Sequence, residues 1–343
     1  MDRNVFASDN ASGLCPAAWA ALQDANSSGC QLSYGEDPFT KEACELIREQ
    51  FDCDAQVFFV FNGTAANSLA LASICQGHHA VVCHEQSHVM TDECGAPGLF
   101  TGGAMLHGCR GPRAKLTPAI VQGAVSGRRD LHASKPRALS LTQATEFGTV
   151  YSIEELNALT ACAHEEGLKV HMDGARFAHA LAHLQVAPAD MTWRAGVDIL
   201  SLGLAKLGAG LGEAVVIFDH ALADEFGNRC KHAAQLASKM RLITAPWCGL
   251  LRDRTWRTLA QEVNQRTLDL RQRLSEVPGV ELLYPTEANA VFARFPSTVN
   301  RAMHAQGWHY YELAGIGDSR LMCSWATRLE DLDAFLTDLH ALS

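Results

Sequence analysis

Apolar and polar positions along this chain follow two repeating patterns. Short, nearly continuous apolar runs, typical of buried strands, alternate with longer segments whose apolar residues recur every three or four positions, as in helices. This alternation predicts an α/β fold with a mainly parallel sheet. The runs predicted as strands are Ala55–Phe61, Ala80–His84, Arg137–Thr142, Leu168–Asp173, Val197–Leu202 and Glu213–Phe218.

The helical segments carry their own start and stop signals. The segment from Ser152 to Gly167 opens with Ser152 and Glu155 at the spacing of a capping box and closes on a glycine. A second helix is predicted directly after the first strand, over residues 64–75. Such helices would cover the sheet and connect its parallel strands.

The pattern changes after about Ala245. A long helix is predicted over residues 252–276, and two short strands follow it, over 280–284 and 289–295. A helix over 297–306, a strand over Arg320–Trp325 and an amphipathic helix from about Leu329 complete the chain. We therefore predict an N-terminal segment and large domain over residues 1–245 and a small C-terminal α+β domain over 246–343.

Composition narrows the class of protein. The net charge of −10, with no basic run, argues against binding to nucleic acid. No window is apolar for the length that a bilayer requires, and the N-terminus "MDRNVFASDN" lacks the apolar region of a signal peptide. The 12 cysteines have irregular spacing and form neither CxxC pairs nor zinc-type clusters. We expect reduced thiols in a cytoplasmic protein with no metal and no membrane partner.

The first candidate for chemistry is Lys206, in "SLGLAKLGAGLGEAVVIF". An ammonium group in apolar surroundings is costly unless it is paired or becomes neutral, and a neutral lysine is a nucleophile. The neighbouring glycines, at positions 203, 208, 210 and 212, would let the backbone pass close to a bulky group. They match neither a dinucleotide-binding fingerprint nor a P-loop. The alternative is a lysine whose stem lies on apolar residues while its amine reaches water.

Two further segments place polar groups where strands end. In "FNGTAANS", Gly63 and Thr64 open a helix, whose unpaired N–H groups suit a phosphate; the alternative is an ordinary N-cap. In "HMDGARFAHA", Asp173 ends a strand, where ligands of open α/β sheets bind; the alternative is an N-cap for a helix starting near Ala175. Arg176 would balance Asp173 or contact a ligand anion.

A phosphate-binding turn, a strand-end aspartate and a glycine-flanked lysine are together the three anchors of a pyridoxal 5′-phosphate (PLP) site. The phosphate needs a helix N-terminus, the protonated pyridine nitrogen needs an anion, and the aldehyde needs an amine with which to form a Schiff base.

With these motifs the chain resembles the L-threonine aldolases, including their phenylserine aldolase relatives. The resemblance runs from "SDNASG" to "SRLMCSWAT", through "YGEDP", "NGTAAN", "HMDGARF" and "LGLAKLG". It implies the aspartate aminotransferase-like fold (PLP fold type I), with a mainly parallel seven-stranded sheet. It also implies a PLP-dependent aldehyde-lyase that cleaves L-3-hydroxy-α-amino acids to glycine and an aldehyde, in a homodimer or homotetramer with shared active sites.

The resemblance assigns cofactor-binding roles to individual residues. Lys206 matches the Schiff-base lysine, and Asp173 matches the partner of the pyridine nitrogen. Arg176 would face the cofactor. Gly63 and Thr64 match the phosphate cradle.

Substrate contacts and the proton acceptor are implied in the same way. His88, in "HEQSHVMTDECGA", matches the histidine that stacks on the PLP ring, and Glu93 matches the acid five residues later. Ser8 and Arg320 match groups that receive the substrate carboxylate. His88 is also the leading candidate for the base that takes the β-hydroxyl proton; the alternative is a purely stacking role. His84 is the reserve candidate, with a structural role at a strand end as its alternative.

Two residues are implied in contacts across a subunit interface, and two segments depart from the family pattern. Tyr34 belongs to a loop that reaches the neighbouring site, and Lys231 matches a phosphate contact supplied from the partner. Many relatives carry Asn-Thr-His-Asn where this chain has "LTQATEFG", so no second active-site histidine can be placed there. Ala205 stands where most relatives have Thr or Ser before the lysine, so a hydroxyl near the Schiff base is missing.

Three functions are therefore compared. The first is a PLP-dependent aldolase acting on threonine, allo-threonine or phenylserine. The second is another fold type I enzyme, an aminotransferase or a β-eliminating lyase, which shares the three anchors. The third is a binding or structural protein that keeps the fold and takes up no cofactor.

Overall fold

A computed structural model describes residues 3–127, 130–313 and 318–342 of the 343-residue chain. The strands in these ranges are β1 (Gln56–Val60), β2 (His79–His84), β3 (Met105–Cys109), β4 (Lys135–Thr142), β5 (Lys169–Gly174), β6 (Ile199–Leu202), β7 (Glu213–Ile217), β8 (Glu281–Leu282), β9 (Ala290–Arg294), β10 (Tyr311–Leu313) and β11 (Asp318–Met322). The helices are α1 (Pro16–Ser27), α2 (Pro38–Phe51), α3 (Gly63–Ile74), α4 (His88–Thr91), α5 (Ala96–Phe100), α6 (Pro118–Val125), α7 (Ile153–Glu165), α8 (Phe177–Leu184), α9 (Phe226–His232), α10 (Arg241–Leu251), α11 (Thr255–Leu274), α12 (Ser297–Ala305) and α13 (Leu329–His340).

The larger sheet has seven strands in the order β1-β7-β6-β5-β4-β2-β3. The five strands from β6 to β3 run parallel, and β7 pairs antiparallel with both β6 and β1. The prediction of a mainly parallel seven-stranded sheet is thus confirmed. Strand β3 was not predicted from the sequence, because none of its residues is fully buried and it has no continuous apolar run.

Both faces of this sheet are covered, as expected for parallel strands. Alternate residues of β7 enter different cores: Val216 packs with α1, α2, α7, α8, α10 and α11, whereas Val215 packs with α3 and α9. Helix α7 begins with the predicted capping box, in which Ser152 accepts from the N–H of Glu155 and the Glu155 carboxylate accepts from the N–H of Ser152.

The smaller sheet is antiparallel, in the order β10-β11-β9-β8, and packs on α11, α12 and α13. Phe6, from the N-terminal segment, is buried in this second core beside Trp308 and Phe335. The predicted division at residues 245 and 246 falls inside α10, where Ile243 and Trp247 both pack in the large sheet's core. The domain limits stay a prediction.

None of the helices in the described ranges combines the length and the apolar composition that crossing a bilayer requires. The 12 cysteines all lie in these ranges and are all free thiols.

Candidate active site

A cavity of about 300 Å³ opens where β4, β5 and β6 end and α3 begins. This is the edge of a parallel sheet at which ligands of α/β proteins bind. Of the predicted residues, Gly63, Thr64, His88, Asp173, Arg176 and Lys206 line the cavity. The structure adds polar residues that the sequence analysis did not single out: Asn10, Asn67, Thr142, Glu146 and Glu213.

Lys206 is held in a 3₁₀ turn, Ala205–Leu207, directly after β6. The buried Glu213 carboxylate fixes this turn, because its Oε2 accepts from the N–H groups of Leu204 (3.0 Å) and Ala205 (3.4 Å). Within the described residues, the Lys206 amine makes no hydrogen bond or ion pair. Burial, and then the charge of Arg176, lower the pKa of Lys206, which favours the neutral, nucleophilic amine.

The glycines around Lys206 have a structural reason of their own. A Cβ on Gly203 would stand 2.8 Å from the Cα of Ala175, and one on Gly212 would overlap Ile243. Gly208 and Gly210 also have φ values of +108° and +83°, which favour glycine. The backbone here passes close to other parts of the protein, while Gly210 and Gly212 also line the cavity.

Asp173 lies near the carboxyl end of β5 and is almost fully buried. Its Oδ2 accepts from Asn67 Nδ2 (2.9 Å), and its Oδ1 accepts from the N–H of Ala175 (3.0 Å). The alternative interpretation as a helix N-cap is wrong, because α8 begins only at Phe177 and Arg176 is its N-cap residue. Asp173 is therefore an anion at the cavity wall.

The start of α3 presents backbone donors to the cavity. Asn62 is the N-cap, and its side chain accepts from the N–H of Ala65 (2.9 Å). Gly63 and Thr64 are the first helical residues, so their N–H groups have no acceptor within the helix. The capping is thus done by the preceding residue, and the Gly63–Thr64 turn can receive an anion.

A chain of hydrogen bonds connects His88 with Asp173. His88 Nδ1 lies 2.9 Å from Glu93 Oε1, and Asn67 Nδ2 donates to the same oxygen (2.8 Å) as well as to Asp173. Because a carboxylate only accepts, Nδ1 carries the hydrogen. The bond to Glu93 raises the pKa of His88, and burial raises that of Glu93. Glu93 was predicted to contact substrate; it does not line the cavity and instead holds the His88 ring.

Arg176 pairs with Asp9, a partner that the sequence analysis did not consider. Its guanidinium donates from Nε (2.8 Å) and Nη2 (3.0 Å) to the Asp9 carboxylate, which also accepts from Asn289 Nδ2 (3.0 Å). Burial opposes ionisation of Asp9, but the charge and hydrogen bonds of Arg176 outweigh it and lower the pKa of Asp9 to about 2. Arg176 thus joins the cavity wall to the N-terminal segment.

Arg320 lies on β11, outside the cavity lining, with its guanidinium 4.9 Å from the Tyr311 ring centroid. Its Nε is buried without a hydrogen-bond partner, and the described residues place no carboxylate in an ion pair with it. Burial, and then the charge of Arg176, lower the pKa of Arg320. An arginine with such an unused donor is suited to bind an anion.

Three other predicted residues lie apart from the lining. The Ser8 hydroxyl accepts from the N–H of Asn10 (3.1 Å) and caps the turn Asp9–Ala11. Lys231 Nζ lies 4.9 Å from the ring centroid of Tyr34, and neither residue lines the cavity of its own chain. Their roles stay predictions.

His84, the reserve candidate for the base, contacts backbone groups through both ring nitrogens, as expected of a structural histidine. Its Nδ1 accepts from the N–H of Gln86 (3.1 Å), and its Nε2 lies 3.0 Å from the carbonyl oxygen of Gly111. The ring is buried, and it does not line the cavity.

Two acids that the sequence analysis missed had a signal in the sequence. Glu146 is a lone acid four residues after the end of β4, inside the segment "LTQATEFG" that departs from the family pattern. Glu213 opens the buried strand β7, where a charge is unusual. Burial raises the pKa of each to about 7.

The residues present fit PLP. The cavity offers an unpaired amine at Lys206, a buried anion at Asp173 and uncapped N–H groups at Gly63 and Thr64, which are the three groups that this cofactor requires. In the described residues, by contrast, no group of three histidine, cysteine or acidic side chains could hold a metal ion.

Comparison with protein families agrees with this chemistry. The beta-eliminating lyase family model matches residues 6–296. The low specificity L-threonine aldolase of Pseudomonas aeruginosa is 48% identical over 335 residues, which cover 98% of this chain and 96% of that protein. The low specificity L-threonine aldolase of a Pseudomonas species is 47% identical, over 98% of this chain and 97% of that protein.

Solved structures confirm the fold. A threonine aldolase of Leishmania major superimposes with a TM-score of 0.91 at 27% identity, over 98% of both chains. C-DES, solved with glycine covalently linked to its PLP cofactor, superimposes with a TM-score of 0.74 at 16% identity, over 99% of this chain and 97% of that one. The predicted aspartate aminotransferase-like architecture, fold type I, is therefore confirmed.

Proposed function

The chain belongs to the beta-eliminating lyase family and, within it, to the L-threonine aldolases, and from that premise we propose that it is a PLP-dependent aldehyde-lyase. It cleaves the Cα–Cβ bond of L-3-hydroxy-α-amino acids and releases glycine and an aldehyde. Threonine and allo-threonine are the expected substrates, and phenylserine is included because the sequence resembles phenylserine aldolases.

One observation supports this proposal above all. The unpaired amine of Lys206 and the buried carboxylate of Asp173 line the same cavity, although Asp173 lies on β5 and Lys206 in the 3₁₀ turn after β6. A nucleophilic amine facing an anion is the pair that a pyridine aldehyde needs for attachment and for keeping its ring nitrogen protonated.

When bound, PLP supplies an electron sink for the electron pair that carbon–carbon cleavage leaves on Cα. Lys206 is the residue that would attach the cofactor. Asp173, held by Asn67 and the N–H of Ala175, would keep its charge next to the ring nitrogen. Gly63 and Thr64 would bind the phosphate through their backbone N–H groups.

The substrate needs a carboxylate site and a proton acceptor. Arg320 is proposed to bind the α-carboxylate, because its Nε is buried without a partner; Ser8 is proposed beside it from the resemblance. The β-hydroxyl must lose its proton for the Cα–Cβ bond to break. His88 and Glu146 are the cavity-lining groups considered for that step.

The assembly and the location are part of the proposal. We expect a homodimer or homotetramer in which Tyr34 and Lys231 contact the neighbouring active site. Neither residue lines the cavity of its own chain, which agrees with a role across an interface. The free thiols of all 12 cysteines agree with a cytoplasmic protein.

Incubation of the purified protein with PLP and single β-hydroxy amino acids tests the proposal. The substrates are L-threonine, L-allo-threonine and both L-phenylserine diastereomers, and glycine and each aldehyde are quantified. Glycine release without a keto-acid acceptor is expected. An aminotransferase would need that acceptor. A β-eliminating lyase would release ammonia and a keto acid. A binding protein that takes up no cofactor would be colourless once free PLP is removed.

A further inference from the structure

One carboxylate oxygen of Glu146, Oε2, accepts no hydrogen bond from the described residues. Its Oε1 accepts from the N–H of His88 (2.9 Å) and from Thr142 Oγ1 (2.9 Å). Its Oε2 is buried with no hydrogen-bond partner among the described residues, and Glu146 lines the active-site cavity. A buried carboxylate oxygen without a partner is costly, so this geometry indicates a hydroxyl or other donor that is bound during the reaction.

The competing group, His88, is less suited to take a proton. Its Nδ1 is committed to Glu93, which leaves only Nε2 for the cavity. The same contact favours the imidazolium form, which has no lone pair to accept a proton. His88 therefore fits a stacking or donating role better than that of a base.

The charges around Glu146 explain why it can act near neutral pH. Its burial, and then the charge of Asp173, raise its pKa to about 7, while the backbone N–H groups of Glu146 itself and of His88, and then the Thr142 hydroxyl, oppose them. Arg176 also interacts with Glu146 electrostatically. Besides His88, which contacts it, Glu146 also influences Cys83 on β2 and Tyr151 before α7, whose pKa values are raised, so both stay neutral. A base is most effective when its pKa lies close to the working pH.

We propose that Glu146 Oε2 accepts the proton of the substrate's β-hydroxyl and later returns it to Cα. This inference rests on the proposed aldolase function. The O–H bond breaks, and its electron pair forms the second carbon–oxygen bond of the aldehyde. The Cα–Cβ bond breaks, and its pair stays with Cα until the Glu146 carboxyl protonates that carbon. Glycine leaves, and Glu146 is a carboxylate again, so the cycle needs no other proton donor.

Glu146→Gln in the holoenzyme is the discriminating variant. The amide oxygen can still accept from His88 and Thr142, which preserves the local structure, but the amide cannot accept a proton. We expect kcat for threonine to fall by about 10²-fold or more, the usual contribution of a general base, while KM changes little. The rise of kcat/KM with pH through about 7 should disappear, because only the ionised Glu146 accepts a proton.

A second measurement does not depend on activity. Infrared difference spectra of the wild type between pH 5 and 9 should contain protonated-carboxyl absorbance that titrates near 7 from both Glu146 and Glu213, and Glu146→Gln should lose the Glu146 part of it while the Glu213 part remains. Glu165→Gln, at the exposed end of α7, is the matched control and should keep both the rate and the band.

The outcomes separate the two proposals. An active wild type together with a Glu146→Gln variant that keeps its rate and pH profile overturns the role of Glu146 and leaves the aldolase function intact. A wild type that releases no glycine from any of the substrates overturns the aldolase function itself, even where the carboxyl band is present.

Discussion

Among the described residues, Lys206 is the only lysine that lines the cavity, so covalent attachment of the cofactor depends on this one side chain. Lys206→Ala, incubated with PLP, should lack the visible absorbance of the wild type and lose glycine release. Borohydride reduction of the wild type followed by peptide mass mapping should place the label at position 206. Lys41→Ala, an exposed lysine on α2, should behave as the wild type. A label at any other position would remove Lys206 from its assigned role.

Arg320 tests the proposed carboxylate site. Its side chain is buried and has an unused Nε donor, so Arg320→Ala should raise KM for threonine by at least about tenfold, the loss of a charge-assisted hydrogen bond. Arg301→Ala removes an exposed arginine on α12 and should leave KM unchanged. Equal KM values for the two variants would show that the carboxylate binds elsewhere.

At the residue scale, the sequence predicted those active-site residues that stand out from their immediate neighbours in the chain. A lysine among glycines and an aspartate at the end of an apolar run are visible without a fold. The roles of Asn67 and Glu146 cannot be recognised in this way, because their contacts join residues that are far apart in the chain. Asn67 contacts Asp173, and Glu146 accepts from the N–H of His88. The sequence likewise left open the partner of Arg176, which is Asp9 in the N-terminal segment.

At the scale of elements, the Asp9–Arg176 pair connects the N-terminal turn, the end of β5 and the small sheet. Asp9→Asn should lower the free energy of unfolding by about 3 kcal/mol, because it leaves the buried Arg176 without its anion. The folded pKa of Asp9, about 2, lies below its ordinary value of 3.8, so its stabilisation is present above about pH 4 and is lost as the pH falls towards 2.

Urea denaturation at pH 7, 4 and 2 measures both effects. The wild type should lose more stability than Asp9→Asn between pH 4 and 2, since the variant has no carboxyl to protonate at this position. Asp24→Asn, on the exposed face of α1, is the matched control and should follow the wild type. Parallel acid curves for Asp9→Asn and the wild type would contradict a structural role of this ion pair.

Strands with a nearly continuous apolar run were predictable, whereas elements without a clear sequence pattern were missed. The six strands predicted for the large sheet all occur, with ends that differ by one or two residues, because each has a nearly continuous apolar run. Strands β3 and β10 have no fully buried residue, so they gave no such signal. Helix α10 was also missed; it contains Pro246, which normally argues against a helix interior.

At the scale of the whole molecule, exposed apolar side chains occur at the cavity and in the segment that precedes α2. Leu211 lines the cavity opening and is 67% exposed, and Leu32 and Tyr34 are 68% and 50% exposed. Lys231 Nζ lies over the Tyr34 ring, and the N–H of Tyr34 donates to the carbonyl of Ser238 (3.1 Å). The segment between Lys231 and Ser238 also reaches the cavity wall, because Gln235 Oε1 accepts from the N–H of Phe61 (3.0 Å), which lines the cavity. In the proposed assembly, a second copy of the chain covers these residues and Lys231 reaches the neighbouring site.

Lys231 therefore gives the sharpest test of the assembly. Lys231→Ala should bind PLP more weakly than the wild type, because the proposed phosphate contact would be lost. The decisive sample is a tagged heterodimer of a Lys206→Ala chain with a Lys231→Ala chain. If Lys231 acts across the interface, the active site of the Lys231→Ala chain keeps its own Lys206 and receives Lys231 from the other chain. The active site of the Lys206→Ala chain then has neither lysine. The activity of the heterodimer should reach about half that of the wild-type dimer. If Lys231 acted within its own chain, both sites would be damaged, and the heterodimer would show no more than half the activity of the Lys231→Ala dimer.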